Sequence, residues 1–297
     1  MDNMKKQQHD KMFRFEKYYK QLKHIIVSIF LIGLMFTIII LLAIIIYFHQ
    51  LTKEASSISD DALKHKVIHF AGDDLINYKN NDILDEYDHS LNSLIVSPEV
   101  IKALTSSEDT LFFQHNGILP KAIIRAMFQD ILQNDQSSGG STITQQLIKN
   151  QVLSNEKTYS RKANEIILAQ RLERIMSKKE IIYTYLNIVP FGRDYNGANI
   201  TGISSASYSL FGIPPKDLNI AQSAYLIGLL QSPYGYTPYE ENGNLKPDNQ
   251  IDYSIQRQHY VLKRMLVEEK ISKSEYREAL KYRIKSHLLT KPNKNAS

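Results

Sequence analysis

The sequence contains no cysteine, which removes a disulfide scaffold, a thiolate nucleophile and any cysteine-ligated zinc or iron–sulfur centre. Any chemistry must come from carboxylates, hydroxyls, amides and cations. A strong charge imbalance is also missing: 36 basic side chains face 31 acidic ones. Much of the small basic excess sits in one N-terminal block, so charge gives no reason to expect a nucleic-acid partner. Internal repeats of solenoid period and long low-complexity runs are absent. Extended alternation of apolar and polar residues is scarce, which argues against a sheet-based domain. What is present is 297 residues, 43% hydrophobic and 23% charged, enough to bury the core of one or two domains.

One stretch stands apart. From Ile25 to Phe48 there are 24 residues without a charge, about 36 Å as a helix against a hydrocarbon core of about 30 Å. The run is too long for a cleaved secretory signal, and no small-residue cleavage site follows it. Lys5, Lys6, Lys11, Arg14, Lys17, Lys20 and Lys23 precede it, whereas the stretch from His49 to Asp61 offers Lys53 against Glu54, Asp60 and Asp61. The bias predicts a single-pass cell-membrane protein with a cytoplasmic tail over residues 1–24 and with residues 49–297 outside. A stalk or membrane-proximal cap is expected over 49–96, a domain over 97–285 and a polar tail over 286–297.

Within that domain the pattern is helical. Ser97 and Pro98 form an N-cap and a proline at the first helical position, with Val100, Ile101 and Leu104 at helical spacing. Further helices are expected at 120–133, 142–151, 161–176, 178–189, 202–211, 220–230, 252–269 and 272–282, with shorter ones near 60–68 and 75–84. The Pro-, Gly-, Asn- and Tyr-rich segment 234–250 reads as a surface loop. The expected fold class is all-α.

Three places carry candidate chemistry. Glu108 lies seven residues after Ile101 and four after Leu104, so helical spacing puts its carboxylate on an apolar face. Desolvation there makes it a candidate general base or acid, and a buried ion pair is the structural alternative. The second place is Gly139-Gly140-Ser141-Thr142-Ile143-Thr144-Gln145-Gln146, continuing to Lys149 and Asn150. Thr142 and Gln145 fit a capping box opening a helix whose free N–H groups suit a phosphate, and Ser141, Gln145 and Lys149 share one polar face. An ordinary capped amphipathic helix would look the same. The third is Arg161-Lys162-Ala163-Asn164-Glu165, in which Glu165 shares a stripe with Ala169, Leu172 and Met176 and points inward with Arg161 one turn away. A buried structural pair is its alternative. Inward carboxylates, several cations and a phosphate-ready helix start suggest transfer away from a phosphorylated leaving group. Other patterns fail on their own terms. Gly192 and Gly197 have phosphate-loop spacing but Ala198 stands where lysine should follow, and Ser154-x-x-Lys157 lacks its companion motifs.

Together with Tyr185-Leu186-Asn187, Gly192 and the run from Ala221 to Pro233, these segments resemble the five motif blocks, in order, of the peptidoglycan glycosyltransferases of family 51. The likeness runs from about Val96 to Ala279 and is similar to the glycosyltransferase half of class A penicillin-binding proteins, whose motifs monofunctional enzymes share. It implies an all-α, lysozyme-like, two-lobed domain with a membrane-associated jaw, polymerising lipid II by inverting β-1,4 transfer. Glu108 then aligns with the base for the acceptor hydroxyl. Glu165, with Lys149, Arg161 and a divalent metal, magnesium or manganese, would help the undecaprenyl pyrophosphate leave. The metal would sit at Glu108 or Glu165 with the substrate pyrophosphate. Asp109 and His115 would orient the first block, Gln145 and Gln146 would line the cleft, and Ser141, Thr142, Asn150 and Lys162 would complete the substrate-binding set. Residues 119–132 would be the jaw. The implied partners are lipid II, the growing lipid-linked glycan, membrane lipids and cell-wall synthesis or division proteins. The sequence contains no transpeptidase half, so penicillin binding is not implied. A lysozyme-like hydrolase and an inactive cell-wall scaffold are the competing readings. The cations of the second and third segments weigh against a hydrolase using water, and the retained carboxylates weigh against a scaffold.

Overall fold

Nothing in the charged flank before Ile25 breaks a helix, since the first glycine is Gly33 and no proline precedes it. In the computed structural model, which describes residues 2–69, 96–131, 140–154, 156 and 158–291, one continuous helix α1 therefore runs Asp2–Leu51. Its segment Arg14–Leu51 is long and apolar enough to cross a membrane. Every side chain from Ile25 to Phe48 is exposed. A helix satisfies all its backbone N–H and C=O groups internally, which suits it to an apolar surrounding. The chain divides into two units, Met1–Glu54 and Ala55–Ser297.

The second unit is helical, as expected. Helix α2 spans Asp60–His69, α3 Pro98–Glu108, α4 Pro120–Ile131, α5 Ile143–Gln151, α6 Tyr159–Ile175 and α7 Lys178–Ile188. After a short hairpin come α8 Ile203–Phe211, α9 Ile220–Leu229, α10 Asp248–Val267 and α11 Lys273–Lys281. The starts of α5, α7, α9 and α11 are fixed by reciprocal capping boxes, Thr142 with Gln145, Ser177 with Glu180, Asn219 with Gln222 and Ser272 with Glu275. Each box satisfies two otherwise orphaned N–H groups. The expected helix over 75–84 lies outside the described residues.

Two helical groups make up this unit. In the first, α3, α9 and α10 pack on one another, with α11 against α10; in the second, α2 and α5 pack on α6 and on each other, with α7 against α5. Buried Leu104, Ala224, Leu226, Leu262 and Met265 fill the first group. Its helices are also cross-tied by Tyr225 Oη to Ser254 Oγ at 3.1 Å, Gln258 Nε2 to Ala221 O at 2.9 Å and Arg264 Nε to Ser106 O at 3.2 Å. In the second group Leu147, Ile148, Leu168 and Leu172 are buried together with Ala55, Leu63 and Val67. Arg171 on α6 donates to Ala55 O, Ile58 O and Asp60 Oδ1 at 2.6, 2.7 and 2.9 Å. Residues 55–69 are thus seated against the helix that carries Glu165.

The all-α class holds apart from one minor strand pair, and the reading of one segment needs correction. A small antiparallel hairpin, β1 Pro190–Arg193 and β2 Asn199–Thr201, interrupts the helices. Gly197 turns it at φ +86°, where a Cβ would stand 2.0 Å from Glu241 O, so this glycine serves a tight turn and close approach. Segment 234–250 is not a free surface loop. Residues Pro233–Tyr236 form a helical turn, Tyr239 bridges Leu245, and α10 already begins at Asp248. The cause is aromatic burial: Tyr239 is fully enclosed and its hydroxyl donates to Leu289 O at 2.6 Å. That contact, with Leu289 N donating to Leu210 O at 2.9 Å and Leu288 buried, also ties residues 288–289 to the domain.

Candidate active site

Helix α5 organises the site from both its ends. At its start the N–H of Ile143 donates to Asp109 Oδ2 at 3.0 Å, and Gln145 N donates to Thr142 Oγ1 at 3.0 Å. The helix start read as phosphate-ready is therefore already held, because the Asp109 carboxylate takes the favourable end of the helix dipole. His115 closes the same knot. Its Nδ1 accepts from Gly117 N at 3.0 Å, which places the ring proton on Nε2, and Nε2 donates to Asp109 at 2.9 Å. Thr142 Oγ1 donates to Gly117 O at 2.6 Å. Gly117 itself, at φ +89°, presses against α6, where a Cβ would meet Ala169 O at 2.6 Å. Asp109, His115, Thr142 and Gln145 are all buried, and their polar atoms turn to the protein. Together they hold the start of α5 against residues 109–117.

The same first turn reaches both glutamates. Gln145 Nε2 donates to Glu165 Oε1 at 3.1 Å, while its neighbour Gln146 donates through Nε2 to Glu108 Oε2 at 3.2 Å. Consecutive residues of a helix point about 100° apart, so one helix holds two carboxylates that come from different helical groups. Their surroundings differ. The Glu165 side chain is 2% exposed and pairs with Arg161 Nη1 at 3.4 Å and with the Lys162 ammonium, which also donates to Ser141 Oγ at 3.0 Å. The Glu108 side chain is 18% exposed, at the last residue of α3. Lys149 and Asn150 are exposed near the end of α5, Lys149 one turn beyond Gln145 on the same face. The structure thus brings Glu165, Arg161, Lys162, Ser141 and Gln145 into one cluster and Glu108 with Gln146 into a second.

Three further contributors were given no role by the sequence. Arg257, on α10, brings Nη2 to 3.8 Å from Glu108 Oε1 with its guanidinium 4.3 Å over the Tyr260 ring. Its stem passes over Gly228 of α9, where a Cβ would stand 3.3 Å from Arg257 Cγ. Nothing in the linear pattern separates Arg257 from the other bases of α10. Glu173, also buried, accepts from Thr144 Oγ1 at 2.6 Å and pairs with Lys178 at 2.6 Å, adding a second carboxylate to the frame. Tyr185 of α7 donates to Gln146 Oε1 at 2.8 Å. Burial, and then the nearby Glu108 charge, pushes its hydroxyl far above the ordinary tyrosine range.

No group of three or more His, Asp or Glu side chains able to hold a metal occurs among the described residues. The donors fit magnesium or manganese only in the mode in which one carboxylate, Glu108 or Glu165, joins pyrophosphate oxygens supplied by a substrate. At the proposed jaw, Ile124 on α4 is exposed, as are Leu111 and Phe113 on the preceding loop.

Comparison with known proteins places these residues in a wider setting. The sequence profile named Transgly, described as transglycosylase, matches residues 80–266. Penicillin-binding protein 1A of Vibrio cholerae is 36% identical over 178 residues, covering 60% of this chain and 20% of the relative. Penicillin-binding protein 1A of Clostridium perfringens strain 13 is 37% identical over 212 residues, covering 70% and 30%. Penicillin-binding protein 1F of Bacillus subtilis is 34% identical over 176 residues, covering 58% and 24%. The chain spans less than a third of the length of these relatives.

Proposed function

This chain belongs to the transglycosylase family, and on that premise we propose that it polymerises lipid II into β-1,4-linked peptidoglycan strands at the outer face of the cell membrane. The observation that carries this reading is the pair of consecutive glutamines on α5, one holding a partly exposed glutamate and the other a buried glutamate among cations. Glu108 is placed to take the proton of the acceptor sugar's 4-hydroxyl. The oxygen then forms a bond to the anomeric carbon of the donor from the face opposite the pyrophosphate, and the anomeric carbon–oxygen bond to undecaprenyl pyrophosphate breaks with inversion. A positioned base is worth about 100- to 10,000-fold in rate. Departure of a pyrophosphate calls for positive charge already in place, because fixed charges need no reorganisation as the bond breaks. Arg161 and Lys162, held by Glu165, supply it, and Lys149, exposed one turn beyond Gln145 on α5, adds a third cation. Glu165 acts by fixing those cations rather than by exchanging a proton.

The lysine-rich first part of α1, ahead of Ile25, supports a cytoplasmic N-terminus and an external domain. Membrane lipids contact α1 and the apolar side chains near α4, and cell-wall synthesis or division proteins are the partners in the same compartment. The test is incubation of the detergent-solubilised full chain with labelled lipid II and magnesium. Polymer is the expected product; cleavage of preformed glycan without polymer, or no product, would refute the reading.

A divalent ion bound between the pyrophosphate and one glutamate would add charge neutralisation at the leaving group. Chelation with EDTA is therefore expected to slow polymerisation, with recovery on adding magnesium or manganese and no change in the melting temperature of the ligand-free protein, since no described cluster of side chains holds an ion by itself. A fall in melting temperature on chelation would instead reveal a structural metal.

A further inference from the structure

Gln146 has one accepting and one donating end, and the two groups it touches leave it a single orientation. An ionised Glu108 can only accept, so the amide NH2 must face Oε2, where Nε2 stands at 3.2 Å. The amide oxygen then faces Tyr185, whose hydroxyl lies 2.8 Å away and must donate. A rotated amide would set oxygen against carboxylate. The donor must also keep its proton, and burial of the phenol ensures that. Tyr185 is 2% exposed, too enclosed to meet a sugar. On the opposite side, the other oxygen of Glu108 has Arg257 Nη2 at 3.8 Å, beyond direct hydrogen-bond reach.

We propose that Tyr185 is a positioning residue for the transfer, acting through Gln146 to pin Oε2 of Glu108 and leave Oε1, on the Arg257 side, as the atom that takes the acceptor proton. This rests on the polymerase reading above and assigns its proton transfer to one atom. With the amide free to rotate, the carboxylate loses its fixed aim, and misalignment of a reacting group by a fraction of an ångström lowers turnover more than binding. Helices α3, α5 and α7 each contribute one member, so the chain of hydrogen bonds also fixes the register of the two helical groups at the reacting atom.

Steady-state polymerisation of labelled lipid II by the full chain tests this with Tyr185→Phe, Gln146→Leu, the double variant and Tyr225→Phe. Tyr185→Phe removes one hydroxyl and is expected to lower kcat about tenfold with KM within about twofold. The double variant should fall no further than Gln146→Leu alone. Tyr225→Phe, which loses a comparably buried hydroxyl bonded to Ser254, should keep kcat within about twofold, separating aim from the generic cost of an enclosed phenol. Wild-type kcat in Tyr185→Phe or in Gln146→Leu, a loss confined to KM, or single losses that multiply in the double variant would each overturn the assignment while leaving the polymerase reading intact. A wild-type chain that forms no polymer would overturn that reading and the assignment together. Thermal melts accompany each kinetic measurement. Gln146 is only partly buried, so its variant decides the matter even where Tyr185→Phe does not fold.

Discussion

Glu108→Gln is expected to remove glycan polymerisation, by about a thousandfold or more, with the melting temperature changed by no more than about 2 °C. The substitution keeps the shape of the side chain and leaves an amide oxygen to accept from Gln146 Nε2, which now stands at 3.2 Å. It removes only the ability to take a proton. Arg257 loses a neighbour at 3.8 Å, but both side chains are in partial contact with solvent and the pair is too long to weigh heavily in stability. The measurement is the initial rate of polymer formation from labelled lipid II beside a thermal melt of the same sample. Full polymerase activity in the variant would exclude Glu108 as the base.

Asp109→Ala should act in the opposite sense, on the fold before the chemistry. Its side chain is fully enclosed and accepts from two enclosed donors, Ile143 N at 3.0 Å and His115 Nε2 at 2.9 Å. Alanine leaves both unsatisfied, and a buried unsatisfied group costs about 1–3 kcal/mol. The expected loss is about 3 kcal/mol, or a melting temperature lower by about 6–12 °C for a domain of this size. Turnover should fall as well, because residues 109–117 and the start of α5 are the frame from which Glu108 and Gln146 are aimed. A melting temperature equal to wild type would show that the knot among Asp109, His115 and Ile143 does not hold the frame. Comparison of the two variants separates chemistry from support: one loses rate at constant stability, the other loses stability first.

Some of this was legible in the residues alone. The spacing of Glu165 with Ala169, Leu172 and Met176 places its carboxylate inward, and it is buried at 1% exposure. Thr142 and Gln145 are readable as a capping box and form one. Ser97 caps α3 ahead of Pro98. These features depend on neighbours within one or two turns, and local spacing carries them. The fate of the α5 N-terminus was not legible, because the group that occupies it, Asp109, lies 34 residues earlier, and only the fold decides whether a carboxylate or a ligand takes the free N–H groups. Arg257 went unseen for the same reason: its approach to Glu108 depends on α10 crossing α9 where Gly228 leaves room. Tyr239, in a segment whose composition reads as loop, is buried through a partner 50 residues away.

What the sequence by itself determined is the helical character of the chain, one run able to cross a membrane, the inward facing of Glu165 and the set of polar residues available for chemistry. Those are consequences of periodicity and of side-chain type, which act over a few residues. Which of those residues meet was decided by tertiary structure. The two glutamates are 57 positions apart (165 − 108), and they share one helix as their common hydrogen-bond partner only because two separately packed helical groups bring α3 and α6 to neighbouring sides of α5. Burial then divides their surroundings, since the enclosed carboxylate is paired with cations while the other lies nearer solvent.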